Sequence, residues 1–223
     1  MKASILKKSL ISMIDSKIPV FVWGNPGVGK SSIIKQIAND KNMEFIDLRL
    51  SLLDPTDLRG IPFFDSANKS AIWAKPEFLP NSNSQAFGIL FLDEINSAPP
   101  TVQAAAYQLI LDRKIGEYTL PMNYAIVAAG NYESDRGVTY RMPTPLANRF
   151  VHLDFELDFE EWKSWAYESK IDTRIISFLS YKPQNLFTFD AKAKEKSFAT
   201  PRSWSFVNDI LNSNLQIEFL KDV

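Results

Sequence analysis

A lysine and a serine close a glycine-rich stretch near the start of the chain, in the pattern G-x-x-x-x-G-K-S. Its fixed positions are Gly24, Gly29, Lys30 and Ser31. Glycines let backbone N–H groups turn inward around an anion, and a following helix adds its positive end. The pattern predicts a loop that binds nucleotide phosphates, with Lys30 on the β- and γ-phosphates and the Ser31 hydroxyl on Mg²⁺. The residues predicted to bind the nucleotide here are Gly24, Asn25, Pro26, Gly27, Val28, Gly29, Lys30, Ser31 and Ser32.

Two adjacent acids, Asp93 and Glu94, end the apolar run that begins at residue 87. Charged groups are costly to desolvate, so a buried strand has no structural reason to end in them. Ligands bind at the carboxyl ends of parallel strands. There, we expect Asp93 to hold Mg²⁺ and Glu94 to polarise the water that attacks the γ-phosphate. A second carboxylate favours hydrolysis over nucleotide binding alone.

A third apolar run, residues 124–130, is followed by Asn131. An amide can both donate and accept hydrogen bonds, so Asn131 could position the attacking water. On its own such an asparagine is more often a turn residue. Because it ends the third strand of the same predicted sheet, we expect a functional role.

Strands and helices alternate around these residues. Strands are predicted near 20–24, 43–51, 87–93, 124–131 and 149–155, and helices near 1–17, 31–40 and 99–112. This alternation favours an α/β fold with a parallel sheet that is covered by helices on both faces. In the third helix, Val102, Ala106, Leu109 and Ile110 form an apolar stripe, which we interpret as core. His152 alternates outward on the last strand, and we expect no special role for it.

Composition removes several kinds of chemistry. The chain has 223 residues, a net charge of −1, no cysteine and one histidine, so disulfides, His/Cys metal clusters and Cys–His nucleophiles are excluded. No apolar run approaches the length of a membrane span. These features predict a soluble, cytoplasmic protein without a membrane partner.

The order of these motifs resembles an AAA+ ATPase, and their details resemble its MoxR group. The resemblance covers about residues 20 to 210. It is carried by "DLRGIPF" (57–63), "LFLDEINSAPPTVQAAAYQLILDRKIG" (90–116), "AAGN" (128–131), "PLANRF" (145–150) and "TPRSW" (200–204). It implies a parallel-sheet P-loop NTPase core that hydrolyses ATP with Mg²⁺ and works as a homo-oligomeric ring, a hexamer.

The same resemblance implies roles for two arginines. Arg149 matches the arginine finger that reaches the γ-phosphate of a neighbouring subunit, with Arg136 and Arg141 as alternatives. Arg202 matches a second sensor that contacts the nucleotide from the lid. With Glu94, Asn131 and Lys30, Arg149 completes the predicted catalytic set, and Ser31 and Asp93 form the predicted metal site.

Two β-hairpin insertions are predicted, at 60–80 and 112–123. In rings of the family such hairpins face the pore and touch the substrate, which makes Phe63, Phe64, Ile72 and Trp73 the apolar candidates here. Packing of the hairpin on its own domain is at least as good an interpretation.

The chain divides into a nucleotide-binding core, 1–155, and a small C-terminal helical lid, 156–223. Only 21 residues follow Arg202, whereas lids of the family usually continue further. The lid is therefore either short by nature or completed by another chain.

The resemblance implies a molecular chaperone or remodeller of a protein client, which could work with a partner that carries a von Willebrand A domain. Two alternatives stay open: a nucleic-acid motor or loader, and a nucleotide-gated assembly factor that does not hydrolyse ATP. The predicted hairpins show no excess of positive charge, which disfavours nucleic acid without excluding it. Their charged residues are Lys69, Lys75, Arg113 and Lys114 against Asp65, Glu77, Asp112 and Glu117.

Overall fold

The computed structural model describes residues 1–66, 68–135, 139–192 and 197–213. Its strands, in chain order, are β1 (Val20–Trp23), β2 (Glu44–Arg49), β3 (Ile61–Asp65), β4 (Ser70–Ala74), β5 (Gly88–Asp93), β6 (Lys114–Ile115), β7 (Tyr118–Thr119), β8 (Tyr124–Gly130) and β9 (Val151–Asp154). The α-helices are α1 (Ala3–Asp15), α2 (Lys30–Asp40), α3 (Pro55–Arg59), α4 (Pro100–Asp112), α5 (Thr144–Ala147), α6 (Phe159–Glu168), α7 (Thr173–Tyr181) and α8 (Pro201–Asn212).

Five strands form one parallel sheet in the order β2–β5–β8–β1–β9. The chain leaves β1 toward β2 on one side, and β9 adds to β1 on the other side. A crevice forms at the carboxyl ends of the strands where such an order changes direction, and ligands bind there. The predicted α/β fold with a parallel sheet is confirmed.

Helices cover both faces of the sheet because the sheet strands are apolar on both sides. On one face, α1 and α2 bury Leu10 and Ile34 against β1 and β5. On the other face, α4 buries Val102 and Leu109 against β5 and β8. The apolar stripe predicted on α4 is therefore core, as expected.

Both predicted hairpins form. Strands β3 and β4 pair antiparallel, with Asp65 opposite Ser70, and β6 and β7 pair around Gly116, whose φ of 56° is left-handed. Every residue of β4 is exposed, and all of β3 is exposed except the half-buried Asp65. The apolar side chains of this hairpin are therefore not part of the buried core of the domain.

Helices α6, α7 and α8 share a third apolar cluster, which includes Trp162, Ile176 and Leu179. Each helix begins with a side-chain cap that satisfies a free N–H group: Asp158, Asp172 and Thr200 accept from the first turns of α6, α7 and α8. This is the helical unit predicted for the C-terminal part. The division at residue 155 stays a prediction, and part of the lid segment (193–196 and 214–223) lies outside the described residues.

The start of α1 is bound to the start of α6. Lys2 Nζ lies 2.8 Å from Asp158 Oδ2, and Glu161 accepts hydrogen bonds from the backbone N–H and the hydroxyl of Ser4. A carboxylate of one helix thus caps the positive end of the other. Across the described ranges, no helix is long and apolar enough to cross a membrane.

Candidate functional site

The phosphate-type loop joins β1 to α2 at the carboxyl edge of the sheet. Gly27 and Gly29 have φ values of 78° and 106°, which side chains rarely adopt. Gly29 is the N-cap of α2, and because it is a glycine, no side chain caps the first N–H groups of this helix. The first N–H groups of a helix have no intrahelical acceptor, so this end of α2 offers several donors and a positive dipole to an anion.

Lys30 is 8% exposed, and its ammonium group is held by three acceptors. Nζ donates to the carbonyl oxygens of Gly24 at 2.5 Å and Asn25 at 3.0 Å, and to Oδ1 of Asn131 at 2.9 Å. Burial lowers the pKa of Lys30 to about 8, and the nearby Asp93 carboxylate opposes this shift. The structure thus brings the ends of β1 and β8 to one cation.

Asp93 ends β5 beside the loop and is 7% exposed. The hydroxyl of Ser31 donates to its Oδ2 at 3.1 Å. Burial raises the pKa of Asp93 above its ordinary value, although the hydrogen bond from Ser31 opposes this shift. Hydroxyl and carboxylate oxygens are ligands that Mg²⁺ accepts, usually with water and substrate phosphates completing the shell.

The donor set fits Mg²⁺ bound together with a nucleotide and not Mg²⁺ bound by protein alone. Within the described ranges, no group of three or more His, Cys, Asp or Glu side chains could hold a metal ion. The pair of Ser31 and Asp93 would supply two ligands next to a loop that offers N–H donors to phosphate.

Glu94 has left-handed backbone angles, with φ 56° and ψ 33°. Its carboxylate accepts a hydrogen bond from the hydroxyl of Ser51, and its Oε1 lies 3.8 Å from Nε of Arg49. Sequence reasoning missed both partners, although both lie at the end of the predicted second strand. Their polar side chains at that strand end were the available signal.

Asn131 follows β8 and faces the loop through its contact with Lys30. A second link joins the same segments, since Nδ2 of Asn25 donates to Asp135 at 3.2 Å. Four predicted residues from three chain segments therefore form two hydrogen-bonded pairs, Lys30 with Asn131 and Ser31 with Asp93.

The arginines are arranged differently. Arg149 lies in the turn after α5 and is exposed, as is Arg141. Within the described part of the chain, no hydrogen bond or ion pair engages the side chain of either. Arg136 lies outside the described residues. The described residues thus show no contact between the loop and the side chain of Arg141 or Arg149.

Arg202 lies at the start of α8, beside the loop. Its backbone N–H donates to the carbonyl of Gly27 at 3.4 Å. A Cβ built on Gly27 would lie 2.9 Å from Cβ of Thr200, so loop and lid are packed closely. A groove of about 920 Å³ opens between core and lid and is lined by Val28, Phe155, Trp162, Trp165 and Arg202, among others.

His152, for which we expected no special role, connects two parts of this edge. Its Nδ1 accepts from the indole N–H of Trp23 at 2.9 Å, and its Nε2 lies 2.8 Å from the carbonyl oxygen of Ala147. Since Nδ1 accepts, Nε2 carries the proton and donates. The outward position on the edge strand is as expected, and the ring still reaches the neighbouring strand β1.

The parallel sheet, the glycine-rich loop and the acid-ended strand together define a P-loop nucleoside triphosphatase fold. Residues 19–152 match the ATPase family associated with various cellular activities (AAA). That match covers more than half of the chain, and the chain belongs to this family, whose members bind nucleotide and are generally ATPases.

Among curated proteins, the chain is similar to the chaperone MoxR1 of Mycobacterium tuberculosis, with 28% identity over 66% of this chain and 38% of the relative. It is also similar to the replication factor C large subunit of Ignicoccus hospitalis, with 30% identity over 48% of this chain and 20% of that protein. The chain thus spans well under half the length of either relative. The family match and the MoxR1 similarity together identify an AAA+ ATPase of the MoxR type.

Solved structures agree on the fold. A protein of Cytophaga hutchinsonii, provisionally described as an ATPase, aligns with a TM-score of 0.52 at 20% identity, over 98% of this chain and 61% of that one. NtrX of Brucella abortus aligns with a TM-score of 0.52 at 14% identity, over 95% of this chain and 52% of that one. At these identities the similarity concerns the fold alone.

Proposed function

We propose that the protein hydrolyses ATP with Mg²⁺ and uses the resulting motion to remodel a protein client. The observation that carries this proposal is the convergence of the loop on two strand ends. Ser31 contacts Asp93 at 3.1 Å, and Lys30 contacts Asn131 at 2.9 Å. A fold that needed only to bind a phosphate would not require an aspartate and an asparagine at these positions.

Each residue of the convergence would act on a different part of the substrate. The N–H groups at the start of α2 and the ammonium of Lys30 would bind the phosphate oxygens. Ser31 and Asp93 would hold Mg²⁺, which supplies charge neutralisation across the β- and γ-phosphates when it is bound. Asn131 would orient the attacking water, and Arg202 would contact the nucleotide from the lid.

Glu94 would accept the proton of that water. Its carboxylate is engaged by Ser51 and lies near Arg49, on the side of β5 that faces β2. Catalysis therefore requires Glu94 to leave these partners and turn toward the γ-phosphate. We expect these contacts to lower the basal rate of ATP hydrolysis.

Arg149 would complete the site of a neighbouring subunit in a ring, which we expect to be a hexamer. Two observations support this role: its side chain is exposed, and it has no described partner within its own chain. An arginine that stabilises the transferring phosphoryl group contributes about 10³–10⁵ in rate. Arg141 and Arg136 stay alternative candidates for that contact.

The hairpin β3–β4 would contact the client. Its side chains Phe63, Phe64, Ile72 and Trp73 are 58%, 72%, 48% and 38% exposed. Phe63 pairs directly with Ile72 across the hairpin, so their apolar surface is continuous. Exposed apolar surface of this kind marks sites of interaction. A partner with a von Willebrand A domain stays a prediction that rests on the resemblance.

The test is the ATPase rate per subunit as a function of protein concentration, in Mg²⁺, for the wild type and Glu94→Gln. We expect a rate that rises with concentration and then saturates, and a variant that binds ATP but turns over about 10²–10⁴-fold more slowly. Equal rates for both proteins would contradict the catalytic assignment. Nucleotide binding without turnover in either protein would favour a nucleotide-gated assembly factor.

Mixing variants tests the contact between subunits. Arg149→Ala and Glu94→Gln subunits are each expected to be inactive alone. Mixed rings should recover activity, because some interfaces then combine an intact Glu94 with a neighbour's intact Arg149. The matched control is a mixture of Arg141→Ala and Glu94→Gln subunits. If activity recovers in this mixture and not in the mixture with Arg149→Ala, the arginine finger is Arg141.

A nucleic-acid loader is the second candidate, since the chain is similar to a replication factor C large subunit. Two cations of the hairpins are already engaged, however. Lys75 donates to the carbonyl of Leu79 at 2.8 Å, and Arg113 donates to those of Pro121 and Tyr124. This leaves few free charges for a phosphate backbone. Stimulation of ATP turnover by DNA would favour the loader.

A further inference from the structure

Asn96 is a buried amide that the proposed chemistry does not use. It lies in the 3₁₀ turn that follows Asp93 and Glu94, and it is 2% exposed. Its Nδ2 donates to the main-chain carbonyl of Asn131 at 2.7 Å. Its own main-chain carbonyl accepts from the N–H of Tyr140 at 2.6 Å. One residue thus connects the end of β5, the end of β8 and the segment that leads to α5.

The other end of the amide is packed against Gly130. A Cβ built there would lie 2.3 Å from Oδ1 of Asn96 and 2.7 Å from Cζ of Phe21. The last residue of β8 must therefore lack a side chain for Asn96 to reach Asn131. The close approach fixes the distance between the two strand ends.

Oδ1 of Asn96 has no hydrogen-bond partner among the described residues. The reverse orientation of the amide would place Oδ1 against the carbonyl oxygen of Asn131, where two acceptors would face each other. The bond from Nδ2 to Asn131 therefore decides how the amide lies. A buried polar atom without a partner is unfavourable, so a residue that tolerates one calls for an explanation beyond packing.

Asn131 in turn holds Lys30, since its Oδ1 accepts from Nζ at 2.9 Å. We propose that Asn96 is a positioning residue for phosphoryl transfer, which holds the backbone of Asn131 and thereby sets the place of its amide beside Lys30. This inference rests on the proposed ATPase function. It adds that the turn carrying Glu94 and the strand end carrying Asn131 move as one unit.

Gln103 offers a matched control. It is a buried amide of the same region, 1% exposed, and its Nε2 donates to a main-chain carbonyl, that of Ala98, at 3.0 Å. Among the described residues, its side chain makes no hydrogen bond to a residue of the site. If Asn96 only fills the core, then Asn96→Leu and Gln103→Leu should have the same consequences. Both variants are compared by Tm, by kcat and KM for ATP, and by nucleotide affinity.

We expect Asn96→Leu to lower kcat about 10–100-fold, the effect of misplacing an aligned group by about 1 Å. KM for ATP should change by the same factor as in Asn131→Ala. Gln103→Leu should lower Tm and leave kcat unchanged. The double variant Asn96→Leu with Asn131→Ala should be no slower than Asn131→Ala alone, because Asn96 acts through Asn131. Asn96→Ala replaces Asn96→Leu if the larger side chain prevents folding.

Additive losses in the double variant, or an unchanged kcat in Asn96→Leu, would overturn the proposal. A wild-type protein without ATP turnover would overturn the proposed ATPase function instead. Nucleotide affinity then tests separately whether Asn96 positions Asn131. In that case Asn96→Leu and Asn131→Ala should weaken the affinity for a non-hydrolysable ATP analogue by the same factor, with ADP affinity unchanged. Different factors for the two variants would reject the role of Asn96.

Discussion

The hydroxyl of Ser51 donates a hydrogen bond to the carboxylate of Glu94, which ties the turn after β2 to the end of β5. Arg49 Nε lies 3.8 Å from the other carboxylate oxygen. The proposed base is therefore engaged by side chains of its own chain. In the proposed mechanism, the rate of ATP hydrolysis depends on how easily the contacts of Glu94 with Ser51 and Arg49 break.

Replacing Ser51 by Ala should free Glu94 and raise the basal ATPase rate. A hydrogen bond to a charged group contributes about 1.5–3 kcal/mol, so the population of free Glu94 could rise about tenfold. The measurement is kcat at saturating ATP and protein concentration. Ser97→Ala, in the turn that follows Glu94, is the control. A lower rate in Ser51→Ala would mean that Ser51 assists catalysis.

Lys30→Met should abolish tight nucleotide binding without loss of folding. Removal of charge-assisted hydrogen bonds to phosphate should weaken affinity by about 10-fold or more. Burial of the ammonium lowers the pKa of Lys30 to about 8, so removing the charge relieves a desolvation cost that offsets the three lost hydrogen bonds, and Tm should change little. Titration with a fluorescent nucleotide and a thermal melt measure the two effects.

Lys41→Met is the matched control for that experiment. Lys41 follows the opposite end of α2 and pairs with Asp15 at 2.8 Å on the surface. The Lys41→Met variant also removes one positive charge next to α2. Nucleotide affinity should nevertheless stay within about twofold, since exposed ion pairs contribute little. Equal losses in both variants would indicate a general electrostatic effect and not a specific contact.

Gly27→Ala should separate the loop from the lid, whereas Gly29→Ala should not. Both positions are left-handed, so both variants should be destabilised by about 1–2 kcal/mol. Only the new Cβ at position 27 would meet Thr200, at 2.9 Å, since nothing lies within 4 Å of the one at position 29. Hydrogen exchange at the start of α8 should accelerate in Gly27→Ala alone. Equal exchange in both variants would show that this contact does not hold the lid.

The contact between α1 and α6 should weaken in acid. Hydrogen bonds from Lys2 and from Ser4 lower the pKa of Asp158 and of Glu161. A carboxyl whose pKa is lowered by folding stabilises the fold above its ordinary pKa, and this contribution is lost as the pH falls through the folded value. The difference in Tm between wild type and Glu161→Gln should be largest near neutral pH. It should become smaller as the pH falls below about 4, because the carboxyl is then protonated.

Glu160→Gln is the control for the acid effect, because Glu160 is exposed on the same turn of α6. Its Tm should follow that of the wild type at every pH. A constant difference between wild type and Glu161→Gln across the pH range would show that Glu161 contributes through packing and not through its charge.

The sequence by itself determined the parts of this protein that depend on local pattern. The order of glycines before Lys30 requires a loop with left-handed positions, and apolar runs of strand length that end in Asp93 and Asn131 require buried strands with polar tips. Both hairpins were readable for the same reason, since turn residues separate two apolar runs. Because the carboxyl ends of parallel strands share one edge of a sheet, these polar tips were expected on the same side as the loop.

Only the tertiary structure decided which side chains meet across segments that share no pattern. Ser51 reaches Glu94 because β2 pairs with β5, and His152 reaches Trp23 because β9 adds to the far side of β1. Asn96 binds Asn131 because Gly130 leaves room for it. Such contacts depend on strand order and on clearances of a few tenths of an ångström. Hydrophobic periodicity carries information on neither.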